Sequence, residues 1–123
     1  MNVNVPETKA YYHSLTEASL CDCGYCRNYR LHVKSAYPEV AEYLTAFGID
    51  IEKPFETSPL EPDENGMLKY CCCQYIVFGK CGADYRYRIN EVEFRMAASY
   101  PDIGIGQEHF VLELFPVQLK FVP

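Results

Sequence analysis

Helical spacing is confined to the first half of the chain and two-residue alternation to the second, which predicts an α+β domain. Two helices should pack on an antiparallel sheet of about four to five strands that follows them. Val40, Tyr43, Leu44 and Phe47 repeat at the 3.6-residue period, and Tyr85, Tyr87 and Ile89 alternate with Arg86, Arg88 and Asn90. The 123 residues fit one domain, residues 1–123, and a 49% hydrophobic content supplies one core.

The elements follow in order. Residues 1–12 carry no clear period and are expected to be partly mobile. Ser14-Leu15-Thr16-Glu17 has capping-box spacing and suggests a short helical turn. Asp22 is a candidate N-cap for a helix from Cys23 to Lys34, with Cys26, Tyr29 and Val33 on one stripe and Arg27, Arg30 and Lys34 on another. Pro38 suits the first turn of a second helix, and Gly48 its C-terminal cap.

Residues 50–66 read as an extended, acidic connection spaced by Pro54, Pro59 and Pro62, with a tight turn at Asn65-Gly66. The plain reading is a surface loop. Leu68 to Phe78 is apolar on both faces and reads as a central strand, on which Cys71 and Cys73 share one face and Cys72 takes the other. The alternation slips between Ile89 and Val92. A two-residue turn at Asn90-Glu91 would set Ile89 opposite Val92 and Arg88 opposite Glu93; a long bulged strand is the other option. Residues 99–108 form a glycine-bearing loop. The last strand changes phase at Pro116, where a bulge or an edge is expected.

Composition narrows the function classes. The formal net charge is −6, which repels phosphate backbones and disfavours a nucleic-acid partner. No apolar stretch is long enough to cross a bilayer, so no membrane partner is expected. The N-terminus lacks the basic start and apolar block of a secretory signal, so the cytoplasm is the expected location. There the seven cysteines, an odd number, argue against a disulfide framework and for metal binding, reactive thiols or buried free thiols.

Cys21, Cys23 and Cys26 fall within six residues. Thiolates bind zinc well, and Cys23 and Cys26 have the C-x-x-C spacing that lets two sulfurs grip one ion, with Cys21 close enough to be a third. Cys71, Cys73 or His13 could complete a four-ligand structural zinc site. Burial as small apolar side chains is the competing reading, and it suits Cys71, Cys72 and Cys73. A redox role is the third. Cys23-Gly24-Tyr25-Cys26 at a helix start looks like the active-site motif of thioredoxins and glutaredoxins, and a helix N-terminus favours a thiolate. That fold needs a buried strand directly before the motif, and Ser14 to Leu20 does not read as one; Asp22 beside the thiols would raise their pKa.

Other chemistry is thin. His13, His32 and His109 are scattered, and Gly104-Ile105-Gly106 lacks the frame of a phosphate loop. A non-enzymatic binding or interaction domain is the leading reading, and a thiol-dependent redox protein using Cys23 as nucleophile and Cys26 as resolving thiol is the alternative. The expected partner is another protein or a second copy of the chain. A tyrosine-rich sheet face that binds a small molecule is a further option.

The run from Cys21 to Tyr29, followed by Tyr37-Pro38-Glu39-Val40, Phe47-Gly48-Ile49-Asp50 and Lys53-Pro54, resembles a group of small uncharacterised bacterial proteins. They carry a C-x-C-x-x-C-x-N-aromatic motif, form a domain of unknown function and have a strand-rich second half. The similarity covers mainly residues 21–54 and implies no activity. It implies that thiols of the second half lie outside the pattern, which sets Cys23 and Cys26 ahead of Cys71, Cys72, Cys73 and Cys81 as ligands.

Overall fold

The computed structural model describes residues 1–122. In chain order they form strand β1 (Asn2–Val3), helix α1 (Val5–Ser14), a 3-10 turn (Glu17–Ser19), helices α2 (Gly24–Ala36) and α3 (Pro38–Thr45), and strands β2 (Glu56–Pro59), β3 (Met67–Lys80), β4 (Arg86–Ile89), β5 (Val92–Met96), β6 (His109–Phe115) and β7 (Val117–Lys120). The α+β class holds. There are three α-helices rather than two, and the antiparallel sheet has a five-strand path, β1-β3-β6-β5-β4, with β2 and β7 also paired to β3.

The 14-residue β3 organises the molecule. One of its edges pairs with β7 and then β6, the other with β2 and then β1. Over Gln74 to Phe78 both faces of this strand are covered, so apolar side chains are stable on either side there. Its Tyr75 and Val77 enter the main core with Tyr29, Val33, Leu44, Phe94 and Leu112, while Ile76 and Phe78 join Ala97 and Val111 in a smaller one.

The first twelve residues, expected to be partly mobile, hold β1 and most of α1. The helix is anchored by polar atoms rather than by an apolar stripe, which is why no hydrophobic period marks it. Thr8 and Tyr12, one turn apart, are both buried. The Tyr12 hydroxyl donates to the Ile76 carbonyl at 2.7 Å, and the Phe78 N–H donates to Thr8 Oγ1 at 3.1 Å. The capping box at the following turn is also shifted: Thr16 and Ser19 form it, not Ser14 and Glu17.

Helix α3 buries Val40, Ala41 and Leu44. Gly48 ends it at φ +83°, and a Cβ there would lie 2.8 Å from the Val5 carbonyl oxygen, so glycine is needed for both conformation and room. The connection 50–66, read as a surface loop, carries β2 within it. Glu56 and Thr57 pair with Gln74 and Cys73.

The phase change at Pro116 is matched by one in β3. From β2, the register shifts between Thr57 and Pro59, so β3 carries an extra residue at Cys71–Cys72. Across the other edge, Tyr70 faces Val117 and Cys73 faces Leu114 with no shift, because Phe115–Pro116 supplies the matching extra length. Leu68, Tyr70, Cys73 and Tyr75 therefore all reach the main core, as do Leu112, Leu114, Val117 and Leu119. Cys71 and Cys73, expected on one face, are separated: Cys71 is exposed and Cys73 buried.

The β4–β5 hairpin has the register the alternation implies. Ile89 faces Val92 and Arg88 faces Glu93, with an Arg88–Glu93 ion pair at 3.4 Å and Asn90 at φ 53° in the turn. Tyrosine contributes more to the interior than strand preference suggests, because each buried hydroxyl finds a partner. Tyr29 and Tyr75 share a hydrogen bond at 2.6 Å, and the Tyr75 hydroxyl lies 2.6 Å from the Ile51 carbonyl oxygen. Without partners, each hydroxyl would cost about 1–3 kcal/mol on burial.

Candidate metal centre

Cys23 is the N-cap of α2, one residue beyond the expected Asp22, and its extended backbone lets Sγ turn back toward the first helical turn. There the Cys26 N–H donates to Cys23 Sγ at 3.4 Å. Thiols rarely cap helices. Here the sulfur takes the place of the usual oxygen on an orphan N–H, and the same geometry sets Cys26 three residues on.

Four side chains hold the start of α2. Arg30, two turns in, donates through Nη1 to the Cys21 carbonyl at 2.5 Å and folds the preceding segment back over the helix. The Tyr70 hydroxyl donates to the Tyr25 carbonyl at 2.5 Å, and the Tyr25 hydroxyl donates to Glu61 at 3.1 Å. Cys26 Sγ lies 3.6 Å from Thr57 Oγ1 on β2. Further along, Asn28 is buried between α2 and the chain end: its Nδ2 donates to the Lys120 carbonyl at 3.0 Å, and the Val122 N–H donates to its Oδ1 at 3.0 Å.

The result is a group of three sulfurs, those of Cys21, Cys23 and Cys26, all within 4.8 Å of one another. Cys21 and Cys23 are exposed and Cys26 is half-buried. Their electrostatics diverge. The Cys26 N–H holds the Cys23 thiol below its ordinary pKa, against a smaller opposing effect of burial and with further help from the Cys26 and Cys21 side chains. The repulsion expected from Asp22 does not decide it. Burial pushes the Cys26 thiol up to about 12.

The other thiols lie apart. Among the described residues, none of Cys71, Cys73 and His13 joins the three sulfurs within that distance. Cys73 is in the core, where burial raises its pKa to about 12. Cys72 is raised too, first by burial and then by Glu113 beside it.

All three site cysteines open onto one cleft of about 390 Å³. Leu15, Phe55 and Ile76 supply apolar wall, and Arg30 and Lys53 supply positive charge. Lys53 Nζ donates to the Tyr12 and Leu15 carbonyls at 2.8 and 3.0 Å, tying the connection before β2 to the end of α1. In the sequence Arg30 reads only as part of a basic stripe. Its spacing of four from Cys26 is a signal that could have assigned it to the site. Thr57 and Lys53 carry no such signal, since they arrive from a separate segment.

No helix among the described residues is long and apolar enough to cross a membrane. No family model matches the chain, and neither a curated protein nor a solved structure matches it.

Proposed function

We propose that the chain is a small binding domain that acts through contact with another protein, and that Cys21, Cys23 and Cys26 hold a zinc ion at the start of α2. The carrying observation is the convergence of three sulfurs within 4.8 Å. Sulfurs on a tetrahedral zinc lie about 3.8 Å apart, given Zn–S bonds of about 2.3 Å. The gap to that geometry is therefore at most about 1 Å. Three sulfur donors suit a soft or borderline ion and not calcium or magnesium. A bound ion deprotonates its thiols outright, which overcomes the raised pKa of Cys26. When bound, zinc would tie the Cys21–Cys26 turn to the helix and stiffen the surface around it. A reducing compartment such as the cytoplasm suits seven unpaired cysteines.

Elemental analysis of chain purified without added metal tests this. The expected result is about one zinc per chain, lost in the Cys21→Ser, Cys23→Ser, Cys26→Ser triple variant. A ratio near zero, with the three thiols freely titrated, overturns it.

The opposed shifts of Cys23 and Cys26 support a second reading, thiol–disulfide exchange. The Cys23 thiolate would attack a substrate disulfide, forming a mixed disulfide and releasing one thiolate. Cys26, losing its proton, would then attack the Cys23 sulfur and release the second thiolate. Two electrons pass to the substrate, and a Cys23–Cys26 disulfide remains. Reduction of one equivalent of a small-molecule disulfide by the metal-free chain, made catalytic by an added dithiol that reduces the Cys23–Cys26 disulfide and abolished in Cys23→Ser, is the outcome that would favour it over zinc.

A further inference from the structure

We propose that the cleft beside the three cysteines binds a small monocarboxylate with a short apolar tail, whose carboxylate completes the coordination of the ion. This deepens the zinc reading and rests on it.

Structural zinc sites close with four protein ligands, whereas three protein ligands leave one position for a group from outside. Here three sulfurs converge, and none of the sequence candidates for a fourth joins them among the described residues. The three sulfurs line the wall of a cleft of about 390 Å³, a volume within the usual range of about 300–1,000 Å³ for small-molecule pockets. A group bound in that cleft can therefore reach the sulfur set.

Charge selects the class of that group. Three thiolates and one divalent ion carry a net charge of −1. Arg30 and Lys53, both in the cleft lining and both half-buried, bring the total to +1, and Glu56, also in the lining but exposed, returns it to 0. The two cations are less open to solvent than Glu56, so an anion is favoured beside them.

Both cations have donors to spare. A lysine ammonium has three N–H donors, and two of those on Lys53 go to the Tyr12 and Leu15 carbonyls. A guanidinium has five, and Arg30 gives one to the Cys21 carbonyl. The tail follows from the rest of the lining, where Leu15, Phe55 and Ile76 offer hydrocarbon and no charge.

The test uses the full chain loaded with cobalt(II) in place of zinc, and hexanoate as the probe. The thiolate-to-cobalt charge-transfer band counts the sulfurs, and the ligand-field bands report the remaining position. The expected result is a three-thiolate band together with a saturable change in the ligand-field bands on adding hexanoate, and no change with hexylamine. Lys53→Gln, on a segment that carries none of the three cysteines, should weaken hexanoate about tenfold, the loss of one charge-assisted hydrogen bond, with the thiolate band unchanged. Arg30→Gln should weaken it similarly and is read against its own thiolate band, because Arg30 also holds the Cys21 carbonyl.

A three-thiolate band with ligand-field bands indifferent to hexanoate overturns this inference and leaves the zinc site standing. Hexanoate binding unaltered in both variants overturns it as well. Absence of any thiolate band removes the zinc site and this inference together.

Discussion

The sulfur of Cys23 caps the helix on which Cys26 rides, accepting its N–H at 3.4 Å. One contact therefore begins α2, sets the spacing of the thiol pair and lowers the pKa of one member. Burial raises the other to about 12.

Differential alkylation of metal-free chain follows from this contact. At neutral pH Cys23 should react with iodoacetamide at least about tenfold faster than Cys26, because reactivity tracks the thiolate fraction and the two pKa values lie on opposite sides of the ordinary 9.0. Denaturant should erase the difference. The raised Cys26 value also sets a sign for stability. Below pH 9.0 its contribution is fully present, and it is lost as pH rises from there through about 12, where the unfolded chain releases the proton first. Mapping alkylated peptides by mass spectrometry checks the rates; equal rates would show that the cap does not set the reactivity.

Asn28→Ala should cost about 1–2 kcal/mol of stability. Asn28 is 2% exposed and bridges the Lys120 carbonyl and the Val122 N–H, so truncation removes two hydrogen bonds at the end of the sheet, from backbone groups on exposed residues that turn to water instead. Urea denaturation measures it. A change below about 0.5 kcal/mol would mean that the chain end repacks freely.

Glu113 sits on β6 with Arg95 Nε at 2.5 Å and Gln74 Nε2 at 3.0 Å. Burial pushes its carboxyl up, but hydrogen bonds from Cys72, Gln74 and Arg95 outweigh that and hold it below the ordinary 4.5. A depressed pKa stabilises the fold above pH 4.5, and the contribution fades as pH falls through the folded-state value. Glu113→Gln should lose about 1–2 kcal/mol at neutral pH, a modest figure because Arg95 is partly exposed and solvent screens the pair. It should also show a flatter loss of stability in acid. Parallel acid limbs for the two proteins in thermal melts would count against the assignment.

Gly48→Ala should destabilise by about 1–3 kcal/mol, since the positive φ of 83° strains any side chain and the new Cβ meets the Val5 carbonyl oxygen at 2.8 Å. The same substitution at Gly24, where a Cβ has open space and φ is ordinary, is the control and should be nearly neutral. Similar effects at both positions would argue that the start of α1 does not press on Gly48.

Much of this was legible in the chain and some was not, for reasons tied to particular residues. Helix α3 was readable because Val40, Leu44 and the closing Gly48 act locally. The Arg88–Glu93 pairing was readable because a hairpin register depends only on its own turn. Helix α1 escaped notice because its anchors, Thr8 and Tyr12, are polar atoms bonded to a strand some seventy positions downstream. Strand β2 escaped because four residues with a proline carry almost no alternation, and only pairing with β3 makes them a strand.

By itself the amino-acid order determined the α+β division and the nearness of Cys21, Cys23 and Cys26, since side-chain periodicity and a separation of a few residues are local properties. Tertiary structure decided which side chains surround those sulfurs. It removed Cys73 into the core, placed Thr57 against Cys26 and faced the cluster onto a cleft with Lys53 and Phe55. Those neighbours come from segments about thirty residues or more from the thiols, brought close by burial of the core and by pairing along β3. Contacts between distant segments depend on how whole elements pack, and no short window of sequence contains that information.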